Sequence, residues 1–132
     1  MDEIRKRDRS GNLKGLRLII AGGGTGGHIF PGLAVGKELL KRHPGSEILF
    51  VAGDRRIEDD ILREAGINRV SITVEGIKGR GLIRTIKSAV KLPLGFLQSI
   101  LIIRRFSPDF VLGVGGYSAG PVCLAARLMG VR

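Results

Sequence analysis

The feature that most constrains this chain is a run of glycines lodged between an apolar stretch and an amphipathic one. Leu16 to Ala21 is short, aliphatic and bounded by glycine; Gly22, Gly23, Gly24, Thr25, Gly26, Gly27 and His28 follow, and then Ile29, Phe30 and Pro31. A strand that ends in a glycine turn and enters a helix leaves backbone N–H groups bare, and the positive end of the helix dipole points at the same place. The expected guest is a phosphate or diphosphate. Gly22, Gly24 and Gly27 satisfy G-x-G-x-x-G, so a dinucleotide-binding Rossmann domain is one reading. The acidic ribose ligand of that motif stands about 20 residues further on, whereas Asp54 lies 27 beyond Gly27. A nucleotide-hydrolysing P-loop needs Lys and then Ser or Thr after its last glycine. His28 and Ile29 occupy those places and exclude it.

The same alternation of short apolar runs and helical patterns continues along the chain. Ile29 to Arg42 carries Leu33, Val35, Leu39 and Leu40 at helical spacing, with Pro31 in the first turn. Glu47 to Ala52 reads as a second strand, Ile57 to Ala65 as a helix ended by Gly66, and Arg69 to Val74 as a third strand. A helical region from Leu82 to Phe106, a strand from Asp109 to Val114 and a helix starting at Pro121 complete the series. Such alternation predicts an α/β fold, a Rossmann-like parallel sheet with helices on both faces, which binds ligands beyond the carboxyl ends of its strands. Another strand is expected after Gly130, so the chain reads as a truncated lobe. Residues 1–15 are charged and nearly devoid of apolar side chains, the composition of a solvated basic tail, and contain no h-region of a signal peptide. Residues 16–132 make up the partial lobe.

A second glycine loop follows the fourth expected strand: Gly113, Val114, Gly115, Gly116, Tyr117, Ser118, Ala119, Gly120 and Pro121. Two such loops at neighbouring strand ends could enclose one ligand; tight strand-to-helix packing is the plainer reason for glycine there.

Charge sharpens the picture. Twenty-two basic residues against 12 acidic give a net charge of +10, which favours an anionic partner. The surplus concentrates between residues 75 and 105, where seven basic side chains face one acidic one. Leu82, Ile83, Ile86 and Val90 fall on one helical face, with Arg84, Lys87 and Lys91 on another. Pro93 and Gly95 are expected to break that pattern, and Leu92 to Ile103 is an uncharged run of twelve, short of the roughly 18–20 residues that span a bilayer. A basic face beside apolar residues suits the interface of an anionic leaflet, with Lys78, Arg80, Leu82, Arg84, Lys87, Lys91, Leu94 and Phe96 as the membrane-binding candidates. The alternative is that the apolar half packs on the sheet. Nucleic acid is not expected as a partner: there is one Tyr, no Trp and no recognisable motif. The single cysteine, Cys123, excludes an internal disulfide and a cysteine metal cluster, and fits a reducing cytoplasm.

Gly23 to Ala34 (Gly-Gly-Thr-Gly-Gly-His-Ile-Phe-Pro-Gly-Leu-Ala), together with Gly115 to Pro121, Ile77 to Gly81 and Ser107 to Leu112, closely resembles the MurG family, the glycosyltransferases of family 28 that act in bacterial peptidoglycan synthesis. The resemblance implies the N-terminal, acceptor-binding lobe of a GT-B enzyme. It implies inverting, metal-independent transfer of N-acetylglucosamine from UDP-N-acetylglucosamine to the 4-hydroxyl of lipid I, an undecaprenyl-diphosphate-linked acceptor, with no cofactor. It also implies a C-terminal donor lobe, from the same gene or a separate subunit, without which the chain is expected to be inactive. The expected location is the cytoplasmic face of the inner (plasma) membrane, held peripherally. The resemblance carries over Thr25, Gly26 and Gly27 as phosphate and donor contacts, and Gly116, Tyr117, Ser118 and Gly120 as second-loop contacts near the acceptor.

Transfer also requires the attacking hydroxyl to lose its proton, which a positioned base assists. His28, the only histidine in a glycine loop, is the catalytic candidate, as base or as positioner; His43, beside Pro44 and Gly45, reads as a turn residue. The competing readings are a dinucleotide-binding domain, a non-enzymatic module for lipid diphosphates or membranes, and one subunit of a two-chain glycosyltransferase.

Overall fold

Apolar side chains on both faces of consecutive strands force a sheet to be covered twice. In the computed structural model, which describes residues 15–23, 26–53, 57–74 and 82–132, with the backbone alone for 26, 57–58 and 82–91, four strands form one parallel sheet. They are β1 (Arg17–Gly22), β2 (Glu47–Ala52), β3 (Asn68–Ser71) and β4 (Phe110–Gly115), in the order β3-β2-β1-β4. Helices α1 (Gly26–Arg42), α2 (Ile57–Glu64), α3 (Leu82–Phe106) and α4 (Ala119–Leu128) alternate with them. Residues 1–14 of the expected tail, Thr25, Lys78 and Arg80 lie outside the described residues.

The period-two alternation divides the core. Leu18, Ile20, Ile48, Phe50 and Ala52 point to one face and bury Ile29 and Leu33 of α1 and Leu62 of α2. Ile19, Ala21, Leu49 and Val51 point to the other and bury Ile103 of α3 and Val122, Ala125 and Ala126 of α4. Gly32 lets α1 close on the sheet, since a Cβ there would stand 2.8 Å from Ile20 Cγ2 and 3.0 Å from the Phe50 ring. Such contacts turn two amphipathic layers into interdigitated ones.

β1, α2 and β4 shift from the expected boundaries by a single residue at one or both ends, and α1, α4 and β3 depart further. α1 begins at Gly26, three residues before the apolar periodicity starts, and α4 begins at Ala119, two before Pro121. Glycine's poor helix propensity hides such starts. β3 ends at Ser71: Ile72 N still donates to Ala52 O (2.9 Å), but Thr73 N then turns to Gln98 Oε1 (2.6 Å) and leaves the ladder. α3 runs unbroken through Pro93 and Gly95, contrary to the expected break. Tertiary contacts hold the helix there: Gln98 Nε2 donates to Thr73 Oγ1 (3.2 Å), and Gly95 lies so near Thr73 O that a Cβ would approach it to 2.8 Å; within the helix Ser99 Oγ donates to Gly95 O (2.7 Å). Propensity is a weak prior against packing of this kind.

The amino ends of the strands are tied by Arg17, whose backbone N donates to Asp109 Oδ2 (2.9 Å) and whose guanidinium meets Glu47 (3.2 Å) and lies over the Phe106 ring. Arg69 links the other edge, donating to Asp59 of α2 and to Gly53 O beyond β2. Cys123 is half-buried, its Sγ against Gly113; burial pushes the thiol up from its ordinary value and favours the protonated form.

Candidate functional site

Strand order places the two glycine loops side by side. β1 lies between β2 and β4, and the chain crosses from one side of β1 to the other only when it reaches β4. Such a switch point opens a crevice at the carboxyl ends of the strands, and here those ends are where both loops begin.

The loops touch directly. The β1–β4 register runs from Leu18 opposite Phe110 to Ala21 opposite Gly113, then slips by one residue so that Gly22 faces Gly115. A Cβ on Gly22 would stand 2.3 Å from Val114 Cγ2. Gly115 (φ +106°) and Gly116 (φ +85°) then take a conformation that side chains of L residues rarely adopt. A Cβ on Gly116 would lie 2.1 Å from Gly23 O, and one on Gly115 2.8 Å from His28 Cδ2 and 3.0 Å from His28 Nε2. Residues from the first loop and the second therefore form one surface, which the sequence left only as a possibility.

His28 is the third residue of α1, inside the first helical turn, where backbone N–H groups lack intrahelical acceptors. Gly26 and Gly27 open the same helix. The second loop leads into α4 in the same way, with Ser118 as its N-cap residue. Ser118 is only 2% exposed, and its Oγ makes no side-chain capping bond and has no hydrogen-bond partner among the described residues. Tyr117 beside it is 53% exposed, and the space around Gly120 is open. The shallow cleft lined by Asp59, Arg63 and Arg69 lies between α2 and β3, away from both loops.

For the basic helix, α3 supplies the backbone for Leu82, Arg84, Lys87 and Lys91, whose side chains lie outside the description. Leu94 is exposed, whereas Phe96 is half-buried against the core of that face, with Ser99 and Ile103 facing inward. Leu97 and Leu101, 57% and 54% exposed, join Leu92 and Leu94 on the outer side. The spacing of Leu94, Leu97 and Leu101 is helical, and it was the signal by which Leu97 and Leu101 could have been found in the sequence. Among the described residues no helix is long and apolar enough to cross a membrane.

A parallel sheet in this order, with paired glycine loops and a histidine at its switch point, defines a Rossmann-like lobe. The chain belongs to glycosyltransferase family 28: the model of that family's N-terminal domain matches residues 18–132. Curated relatives include the UDP-N-acetylglucosamine–N-acetylmuramyl-(pentapeptide) pyrophosphoryl-undecaprenol N-acetylglucosamine transferases of Syntrophus aciditrophicus, 51% identical over 117 residues, and Citrifermentans bemidjiense, 53% identical over 117 residues. Each alignment takes in 89% of this chain, but 32% and 33% of the relative. The crystal structure of Acinetobacter baumannii MurG is similar with a TM-score of 0.70 and 35% identity, over 89% of this chain and 33% of that one. The chain thus spans about a third of the length of the proteins it matches.

Proposed function

We propose that this chain is the acceptor-binding part of an enzyme that transfers N-acetylglucosamine from UDP-N-acetylglucosamine to the 4-hydroxyl of lipid I, in the synthesis of peptidoglycan. The observation that carries the reading is the direct contact between the two glycine loops, with the His28 ring lying against Gly115. The first turns of α1 and α4 supply positive potential for a diphosphate, which matches a diphosphate-linked acceptor. Thr25, Gly26 and Gly27 from one loop and Gly116, Tyr117, Ser118 and Gly120 from the other surround that ligand.

In this scheme the acceptor hydroxyl attacks the anomeric carbon from the side opposite the leaving UDP. The carbon–oxygen bond to the diphosphate breaks, UDP departs with the bonding electrons, and configuration inverts. Positive charge builds on the sugar ring as the proton leaves the nucleophile. His28 takes that proton or holds the hydroxyl in line, a contribution of acid–base type. Most of the donor-binding residues belong to the remaining two thirds of the enzyme's length, and the chain alone is inactive.

The test is a chimera in which residues 16–132 replace the matching third of the Syntrophus aciditrophicus relative. N-acetylglucosamine transfer to lipid I is expected from the chimera and not from the 132-residue chain. A folded chimera that binds UDP-N-acetylglucosamine yet makes no product would sink the reading.

The same proposal puts the lobe peripherally on the cytoplasmic face of the plasma membrane, with Leu92, Leu94, Leu97 and Leu101 beside the cations of the preceding segment. Each cation near an anionic surface contributes roughly 1 kcal/mol, so losing three amounts to roughly 3 kcal/mol, on the order of 100-fold in partitioning. Reversing the charge of Arg80, Arg84 and Lys87 together is expected to abolish flotation with phosphatidylglycerol vesicles at low salt. Unchanged flotation of the triple variant counts against the patch.

A further inference from the structure

We propose that Gly115 is a positioning residue for His28: the second glycine loop fixes the orientation of the imidazole, and so acts on the reaction through that ring as well as through any ligand it holds. The inference deepens the reading of His28 given above and rests on it.

Both partners are anchored independently of each other. Gly115 is held by the sheet, opposite Gly22 at the end of the β1–β4 ladder. His28 is held by the first turn of α1. The Cδ2–Nε2 edge of the His28 ring is the part that faces Gly115: a Cβ there would meet Cδ2 at 2.8 Å, Nε2 at 3.0 Å and Cγ only at 3.6 Å. The ring lies where any side chain at position 115 would have to be. Glycine is therefore needed for two separable reasons, the backbone torsion of φ +106° and the space occupied by the imidazole. A turn alone would require only the first. Gly116 lies at the same junction, where a Cβ would stand 2.1 Å from Gly23 O.

Small displacements of a reacting group are costly, about 100-fold in rate for a misplacement of about 1 Å. Gly115→Ala in the chimera is accordingly expected to lower kcat by about 100-fold with the KM for UDP-N-acetylglucosamine changed less than about twofold, because ring placement serves the transition state more than binding.

The decisive experiment is heteronuclear NMR on the isotope-labelled 132-residue chain, read together with those kinetics. In the unsubstituted protein a nuclear Overhauser contact is expected between His28 Hδ2 and the Gly115 α-protons. In Gly115→Ala the His28 ring cross-peak moves while that of His43, at the far end of α1, stays. Gly120→Ala, which meets nothing within 4 Å, leaves both ring cross-peaks in place. Absence of the contact in the unsubstituted protein overturns the proposal, even where Gly115→Ala fails to fold. A His28 ring signal unmoved by Gly115→Ala overturns it too, as does unchanged kcat in the chimera. If the unsubstituted chimera shows no transferase activity, the functional reading fails, while the NMR contact still decides whether Gly115 holds the ring.

Discussion

His28→Ala, introduced into the chimera that carries this lobe, lowers kcat by about 10²–10⁴-fold, the range that acid–base catalysis by a positioned side chain provides. The expectation follows from where the residue sits. It is the third residue of α1, at the carboxyl edge of the sheet and at the junction of the two glycine loops. Its side chain is not part of either hydrophobic core, so the variant is expected to stay folded, which a cooperative urea transition checks. An interaction made mainly in the transition state lowers kcat and kcat/KM together and leaves KM nearly unchanged. The measurement is steady-state transfer with each substrate varied in turn. Unchanged turnover with both substrates saturating removes His28 from the reaction; a rise in KM alone makes it a ground-state contact for the acceptor.

Phe50→Ala is expected to cost about 3–5 kcal/mol, the usual range for deleting a buried aromatic, and to fall in the upper half of that range. Phe50 is wholly buried at the centre of β2, in the cluster between the sheet and α1. The surroundings cannot collapse into the space it leaves. Above it the helix presents Gly32, which has no side chain to swing inward, and the α1 backbone is already as close as Ile20 allows. With no side chain at Gly32 to fill the space, the cavity term adds to the lost transfer term. Urea unfolding should show the midpoint falling by more than about 1 M with the slope unchanged. Phe110→Ala, at a half-buried position on the edge strand, is expected to cost clearly less. Equal losses at the two positions refute the account of α1 packing.

Much of the scaffold was legible before any coordinates. The boundaries of β2 and α3 match the sequence reading, because β2 is a continuous apolar run between polar flanks and α3 starts after a glycine and ends before Ser107 and Pro108. Where the reading missed, the missing information lay in another part of the chain. The starts of α1 and α4 fall in glycine and small residues without periodicity, and first-turn residues are held by the loop and sheet they leave. The end of β3 depends on Gln98, and the continuity of α3 through Pro93 depends on Thr73. Phe96 was read as a membrane contact, yet it is half-buried against the core, while Leu97 and Leu101 face outward. In a basic amphipathic helix with apolar residues on more than one face, composition does not say which face meets the sheet. The direction of docking does, and the Gln98–Thr73 pair helps to set it.

The sequence by itself determined the alternation of strands and helices, the two glycine loops, the chain's own excess of positive charge and the presence of one histidine in a glycine loop. These are local properties, written in periodicity, in glycine and in charge. Only the tertiary structure decided that the loops meet. Gly115 and His28 are separated by most of the chain, and nothing in either loop specifies the other; the β1–β4 pairing and its one-residue slip bring them into contact. Glycine at 115 is ambiguous in sequence, since turns, close packing and ligand approach all call for it. The structure resolves the ambiguity: Gly115 has φ +106°, and a Cβ there would stand 2.8 Å from the imidazole.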